Sequence, residues 1–194
     1  MNNVVLKGFL KDKTFSHKVG DVEYEKASLI CPGVNGREDD VLSIRYKKLT
    51  CKYNEGDFIS LKGNLRSYSR KEENKNTVEL YVFTYFDLPD MINDNLVEID
   101  GRICKIGQLQ KSKSGKEYLH FILANNIIIR DDKKINNYIS CTAYGELARK
   151  MAVLNVNDRL SISGEFHSHT YRKKVNDEIE FRIAHEVVVI DFRS

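Results

Sequence analysis

The most constraining feature of the chain is that it repeats itself. Segment 4–10, VVLKGFL, answers to 97–103, VEIDGRI, each an alternating run with a glycine at the same place, Gly8 and Gly101. Further on, NEGDFISLKGNL (54–65) answers to NVNDRLSISGEF (155–166), matching Asn54 to Asn155, Asp57 to Asp158 and Gly63 to Gly164. VELYVF (78–83) then answers to IEFRIA (179–184). Three matches in one order along the chain describe a duplicated unit, each copy long enough to fold on a core of its own. The polar stretch DLPDMINDN (87–95), with its proline, suits a connection. The expected division is a first domain at 1–88, a linker at 89–95 and a second domain at 96–194.

Both copies read as strands. Alternation is plain at 4–10, 58–66 and 78–86, and again at 97–103, 118–124, 138–144, 159–167 and 179–190. The turns between are charged and rich in Gly, Asn and Asp, as in SHKVGD, KSKSGKE and KKVNDE. One segment has helical spacing: ELARKMAVL (146–154), with Leu147, Met151 and Leu154 on one side and Asn155 as a stop. Five strands with a helix between the third and fourth is the OB-fold arrangement, a small, partly open barrel. The expected fold is all-β, two tandem five-stranded OB barrels, with the helix curtailed in the first, where seven residues separate Tyr46 from Asn54.

Composition narrows the function classes less than the repeat does. With 41% hydrophobic and 30% charged residues the chain is too apolar for wholesale disorder. It lacks an apolar run of membrane-spanning length, and its N-terminus does not read as a secretory signal. Cys31, Cys51, Cys104 and Cys141 stand far apart, so they are expected to be reduced, mostly buried side chains in a cytoplasmic protein. Net charge is +3, spread evenly over the halves, so a polyanionic partner would need a local basic patch.

The second copy resembles the bacterial single-stranded DNA-binding protein family over about residues 95–192. The resemblance rests on NLVEIDGRI, YLHFILAN, YISCTAYGELARKM, and LSISGEFHSHTYRKK followed by EFRIAHEVVVIDF. YISCTAYGELA is the most specific of these, joining an alternating strand to a helix start with aromatics at both ends. The resemblance implies base stacking on Tyr138 and Tyr144, at the two ends of the third strand, and on Tyr171 in the last hairpin. A fourth aromatic of the family pattern is replaced here by Ile129, which retains apolar packing without stacking.

The residues point the same way. From 138 to 144, Ile139, Cys141 and Ala143 make one small apolar face, and Tyr138, Ser140, Thr142 and Tyr144 make the other. Tyrosines on the polar face of a strand need a cover, and a base is a good one: stacking is worth roughly 1–3 kcal/mol per base and tolerates any sequence. Three basic loops surround that face: Lys111, Lys113 and Lys116; Arg130, Lys133 and Lys134; Arg172, Lys173 and Lys174. Each suits contact with backbone phosphates.

In the first copy, matching Tyr46 to Tyr144 would bury Arg45, which is expensive. The strand is therefore expected in the register that buries Leu42, Ile44 and Tyr46. Ser43, Arg45 and Lys47 then line an open face that is basic and without aromatics, with Tyr68 and Arg70 as its remaining binding candidates. His167 and His169 are expected to be solvated, and Asp39 and Asp40 form a loop doublet. Neither these nor any other motif supplies a metal set, a cofactor cradle or catalytic machinery.

The expected activity is sequence-tolerant binding of single-stranded DNA in replication, recombination or repair, by a homodimer that would supply the four barrels the resemblance implies. The alternative is a primosomal or replisome adaptor whose barrel contacts a helicase, primase or polymerase. Ending in VVVIDFRS, the chain is expected to lack the acidic tail by which family members recruit partners.

Overall fold

The repeated glycines mark the places where strands crowd. A Cβ on Gly63 would lie 2.3 Å from the Phe83 carbonyl oxygen, and one on Gly164 2.4 Å from that of Val188. Gly8 and Gly101 meet the carbonyls of Ile30 and Ala124 in the same way, at 2.5 and 2.6 Å. Each copy needs these glycines where a coiled strand crosses its neighbour, which is why the repeat preserves them. The repeated Asn…Asp spacing makes one turn twice. Asn54 N–H donates to the Asp57 carboxylate at 2.8 Å, and Asn155 N–H to that of Asp158 at 2.7 Å.

The computed structural model describes residues 1–34, 36–72, 75–86, 95–128, 134–175 and 178–194, with the backbone alone at 70–72, 75–76 and 175. In the first barrel, β1 (Asn2–Val19) pairs with β2 (Val22–Cys31) and with β4 (Phe58–Glu72). Strand β3 (Asp40–Lys47) pairs with β2 and runs parallel to β5 (Lys75–Thr84), which pairs with β4 and closes the circuit. A 3₁₀ turn at Lys48–Thr50 stands where the helix is curtailed.

The second barrel repeats the circuit. Strand β6 (Asn95–Ile106) pairs with β8 (Glu117–Ile128) and β10 (Arg159–Val175). Strand β9 (Lys134–Tyr144) pairs with β8 and runs parallel to β11 (Glu178–Arg193), which pairs with β10. A two-residue strand, β7 (Gln110–Lys111), is added against β8, and the helix α1 is Gly145–Met151, shorter than its periodicity suggests. Both units are OB barrels. The linker expected at 89–95 lies outside the described residues except for Asn95, which opens β6.

Burial follows the alternation. Leu42, Ile44 and Tyr46 are fully buried, as the slipped register requires, and so are Ile139, Cys141 and Ala143 in the second barrel. Strand β2 had no clear pattern in the sequence, yet Ala27, Leu29 and Cys31 alternate inward. The cysteines are free but not uniformly buried: Cys31 and Cys141 are, Cys51 is half-buried, and Cys104 is exposed on β6.

The barrels are also joined edge to edge. The start of β1 pairs antiparallel with the start of β6, Asn2 opposite Ile99 and Leu6 opposite Asn95, so the eleven strands among the described residues form one sheet. Asparagines seal the seam. Asn2 Nδ2 donates to the Leu65 carbonyl and to Asn125 Oδ1, both at 2.8 Å, and Asn137 Oδ1 accepts from Ser67 N–H at 3.1 Å. No helix among the described residues is long and apolar enough to cross a membrane.

Candidate nucleic-acid interface

Strand geometry places Tyr138 and Tyr171 together and Tyr144 apart from them. Tyr138 is exposed on β9, its N–H held by Ser67 Oγ of the first barrel at 2.9 Å. Tyr171 sits half-buried on β10. Both line a groove of about 670 Å³ between the barrels, together with Phe181 and Ile183 of β11 and Val78 of β5. Phe181 and Ile183 are exposed and carry the apolar face of the β10–β11 ribbon. They belong to the candidate site and were overlooked in the sequence, although alternation in EFRIA singles them out.

Tyr144 ends β9 and N-caps α1, about six residues, or 20 Å, along the strand from Tyr138. Its ring lies 6.4 Å from that of Tyr118, under the Lys116 ammonium at 4.5 Å. Burial holds its hydroxyl above the ordinary tyrosine range. Between the two tyrosines, Thr142 is buried rather than open, donating to the Glu186 carboxylate.

The basic residues are less loop-like than expected. Arg172, Lys173 and Lys174 lie within β10, Lys134 opens β9, and Lys111 forms β7, where it pairs with Glu117 at 3.8 Å. Lys113 stays exposed in the turn beyond. The Arg172 guanidinium lies 5.5 Å from the Phe181 ring. Ile129, Arg130 and Lys133 lie outside the described residues, as does the side chain of Arg70.

The first barrel departs most from expectation. Its open face is basic, but it is not without aromatics. Strand β5 turns Leu80, Val82 and Thr84 inward and Tyr81 and Phe83 outward, with the exposed Tyr85 following. Arg45 stacks its guanidinium over Tyr81 at 4.2 Å and near Tyr68 at 5.5 Å, and Arg66 lies over Phe83 at 4.0 Å. Neither Nε has a hydrogen-bond partner among the described residues, so the rings hold these guanidiniums. Tyr24 stacks on His17 at 4.6 Å and approaches Phe83 at 6.2 Å. Lys47 is exposed opposite Tyr24. The signal was the alternation in ELYVFTYF, three aromatics at every second position.

His167 is buried instead of solvated, because the first barrel covers β10 at this point. Its Nδ1 lies 2.7 Å from the Asp40 carboxylate and its Nε2 2.9 Å from that of Glu165. Asp40, at the start of β3, also accepts the Ser168 N–H at 2.6 Å. Burial alone would lower the His167 pKa, but hydrogen bonds to Asp40 and Glu165 outweigh it and raise it. For Asp40, burial opposes ionisation, and the bonds from His167 and Ser168 more than offset it, leaving the carboxyl below its ordinary value. The two barrels are thus clasped by a buried ion pair, with the Arg37 guanidinium 3.3 Å from His167 Nε2. His169 remains exposed.

The model of the single-strand binding protein family matches residues 94–193. No curated protein sequence matches the chain. Among solved structures, the wild-type single-stranded DNA binding protein from Thermus aquaticus aligns at 17% identity with a TM-score of 0.72, covering 100% of this chain and 92% of that one. A deletion mutant of the same protein aligns at 16% identity and a TM-score of 0.72, covering 100% and 93%. At such identities the likeness concerns the fold, two OB barrels in one chain.

Proposed function

Because the chain belongs to the single-strand binding protein family, we propose that it holds single-stranded DNA across both barrels, by base stacking on tyrosines and phosphate contact with Lys and Arg. Family membership points to a DNA-binding protein rather than an enzyme. The observation that carries the mechanism is the groove between the barrels, where Tyr138, Tyr171 and Phe181 line one wall of space and β5 the other. A base face covers such rings with roughly 1–3 kcal/mol of stacking each and reads no sequence. From the groove the strand passes to the Arg45–Tyr81 and Arg66–Phe83 stacks on the first barrel and to Tyr144 and Lys116 on the second. Lys111, Lys113, Lys134, Arg172, Lys173 and Lys174 neutralise phosphates beside it, as do Arg130, Lys133 and Arg70. Lys47 and Tyr68 flank the first-barrel face.

In this reading 1–88 and 96–194 are the two binding domains, and a homodimer offers four barrels to one strand. Exposed single strands arise in replication, recombination and repair, which sets the cytoplasmic setting of the activity. Competition of a labelled single-stranded oligonucleotide by unlabelled single strand and by duplex, followed by fluorescence anisotropy, tests the proposal. Single strand should displace the probe at far lower concentration than duplex, whose base faces are covered. Equal displacement by the two overturns the reading.

A further inference from the structure

The outer face of the second barrel carries a basic cluster that the stacking site does not use. Leu160, Ile162 and Ile103 turn into the core, so Arg102, Arg159 and Ser161 turn outward. Arg102 stands directly opposite Arg159 across the β6–β10 pair, and Ser161, two residues on, stands opposite Asp100 on one side and Arg193 on the other. Three guanidinium side chains therefore line one open depression of about 560 Å³, with Asp100 as the acidic side chain among its lining residues.

That carboxylate is already engaged, 2.7 Å from the Met1 amino group. Arg102 donates to the Asn157 carbonyl at 2.8 Å, while the side chains of Arg159 and Arg193 make no ion pair or hydrogen bond among the described residues. Like charges directly opposite on paired strands are destabilising, and the Asp100 carboxylate beside them is shared with the Met1 amino group. The row is also directional. The next outward row, Glu98 and Asp191 about Ser163, is acidic, which discourages an anion from running along the strands toward it.

Across the strands the way is open. Arg102 stands opposite Ala124 on β8, a small side chain that leaves the surface low, and Ala124 stands opposite Tyr138 on β9. Tyr138, Ala124, Arg102 and Arg159 thus form a single row, spanning three strand spacings or roughly 15 Å. We propose that Arg102, Arg159 and Arg193 form a phosphate track that takes the backbone of a single strand leaving Tyr138 and carries it around the outside of the second barrel. The track rests on the proposed function, and its ligand is a run of phosphodiesters without base readout.

The test is the triple variant Arg102→Gln, Arg159→Gln, Arg193→Gln in the full chain. It is compared with the wild type and with a charge-matched control of exposed lysines, Lys11→Gln, Lys52→Gln, Lys105→Gln. Each is titrated over a salt series with a long oligothymidylate and with one only long enough to fill the inter-barrel groove. The slope of log affinity against log salt should fall in magnitude by about 2 for the long strand, 0.7 for each phosphate contact removed. For the short strand it should stay near the wild-type slope, and the control should lose less on both. Melting temperature should hold or rise, since opposed like charges are removed. A long-strand slope equal to that of the wild type or of the control overturns the track while leaving single-strand binding intact. Failure of the wild type to bind either strand overturns the function on which the track rests.

Discussion

Replacing His167 by alanine should loosen the clasp between the barrels, and the size of the loss follows from the geometry. The side chains of His167 and Asp40 are 10% and 12% exposed, so their hydrogen bond at 2.7 Å is charge-assisted and poorly screened. Such bonds contribute about 1.5–3 kcal/mol. The second bond, to Glu165, is worth less because that carboxylate is 40% exposed. Breaking a buried pair by removing one member costs about 3–5 kcal/mol when the other is left bare. Here Asp40 keeps the Ser168 N–H as a donor, which places the cost below that range, about 2–3 kcal/mol. For a chain of this size that is a fall of roughly 5–10 °C in melting temperature.

The deficit should depend on pH in a defined sense. His167 has its pKa raised above the ordinary 6.5, so its contribution is complete below pH 6.5 and fades as pH rises through the raised value. Asp40 lies below the ordinary 3.8, so its contribution is complete above that and is lost as pH falls through the lowered value. The gap between wild type and His167→Ala should therefore be widest between pH 3.8 and 6.5 and narrow as pH rises through the raised His167 value. Arg37, Lys7 and the titratable Cys31 thiol also line the cavity beside the clasp, and His185 lies near Asp40. Burial pushes the Cys31 thiol up to about 12, so it stays neutral throughout. Scanning calorimetry of both proteins across that range measures the effect. A constant deficit at all pH values, or none, refutes the buried ion pair.

Other substitutions separate stacking from charge. Tyr138→Ala or Tyr171→Ala should each cost roughly 1–3 kcal/mol of single-strand affinity by anisotropy, with little change in salt slope, because a ring binds no counterion. Arg45→Gln together with Arg66→Gln should act through both routes, lowering affinity and reducing the salt slope by about 1.4 for two phosphate contacts. Gly164→Ala should destabilise the second barrel by about 1–3 kcal/mol in urea denaturation, since its Cβ would fall 2.4 Å from the Val188 carbonyl oxygen.

What the sequence made legible is what period and repetition encode. Gly63 and Gly164 announced the strand crossings, Asn54…Asp57 and Asn155…Asp158 the shared turn, and the misplaced Arg45 its own register. What escaped depends on how the two barrels meet. His167 looks like a solvent-facing residue along β10, and nothing local reveals that Asp40, 127 residues away, will cover it. The groove was hidden for the same reason, since Val78 and Phe181 belong to different barrels. The aromatic face of the first barrel was different: Tyr81, Phe83 and Tyr85 alternate openly in the sequence, but the eye follows the equally apolar Leu80 and Val82 into the core. Strand β2 was obscured by Glu23, Glu25 and Lys26: Lys26 lies on the solvent face, whereas Glu23 and Glu25 continue the inward row of Ala27 and Leu29 past its buried end, Glu25 opposite Tyr46.

The central claim is that single strands stack on tyrosines, and the chain is suited to testing it directly, having ten tyrosines and no tryptophan. Titration with a long oligothymidylate at several salt concentrations, followed by tyrosine emission, reads the stacking itself. Saturable quenching should appear, with affinity falling steeply as salt rises and the fractional quench at saturation unchanged. Saturable binding by anisotropy with no quenching, or a quench matched in size and affinity by duplex DNA, would contradict it.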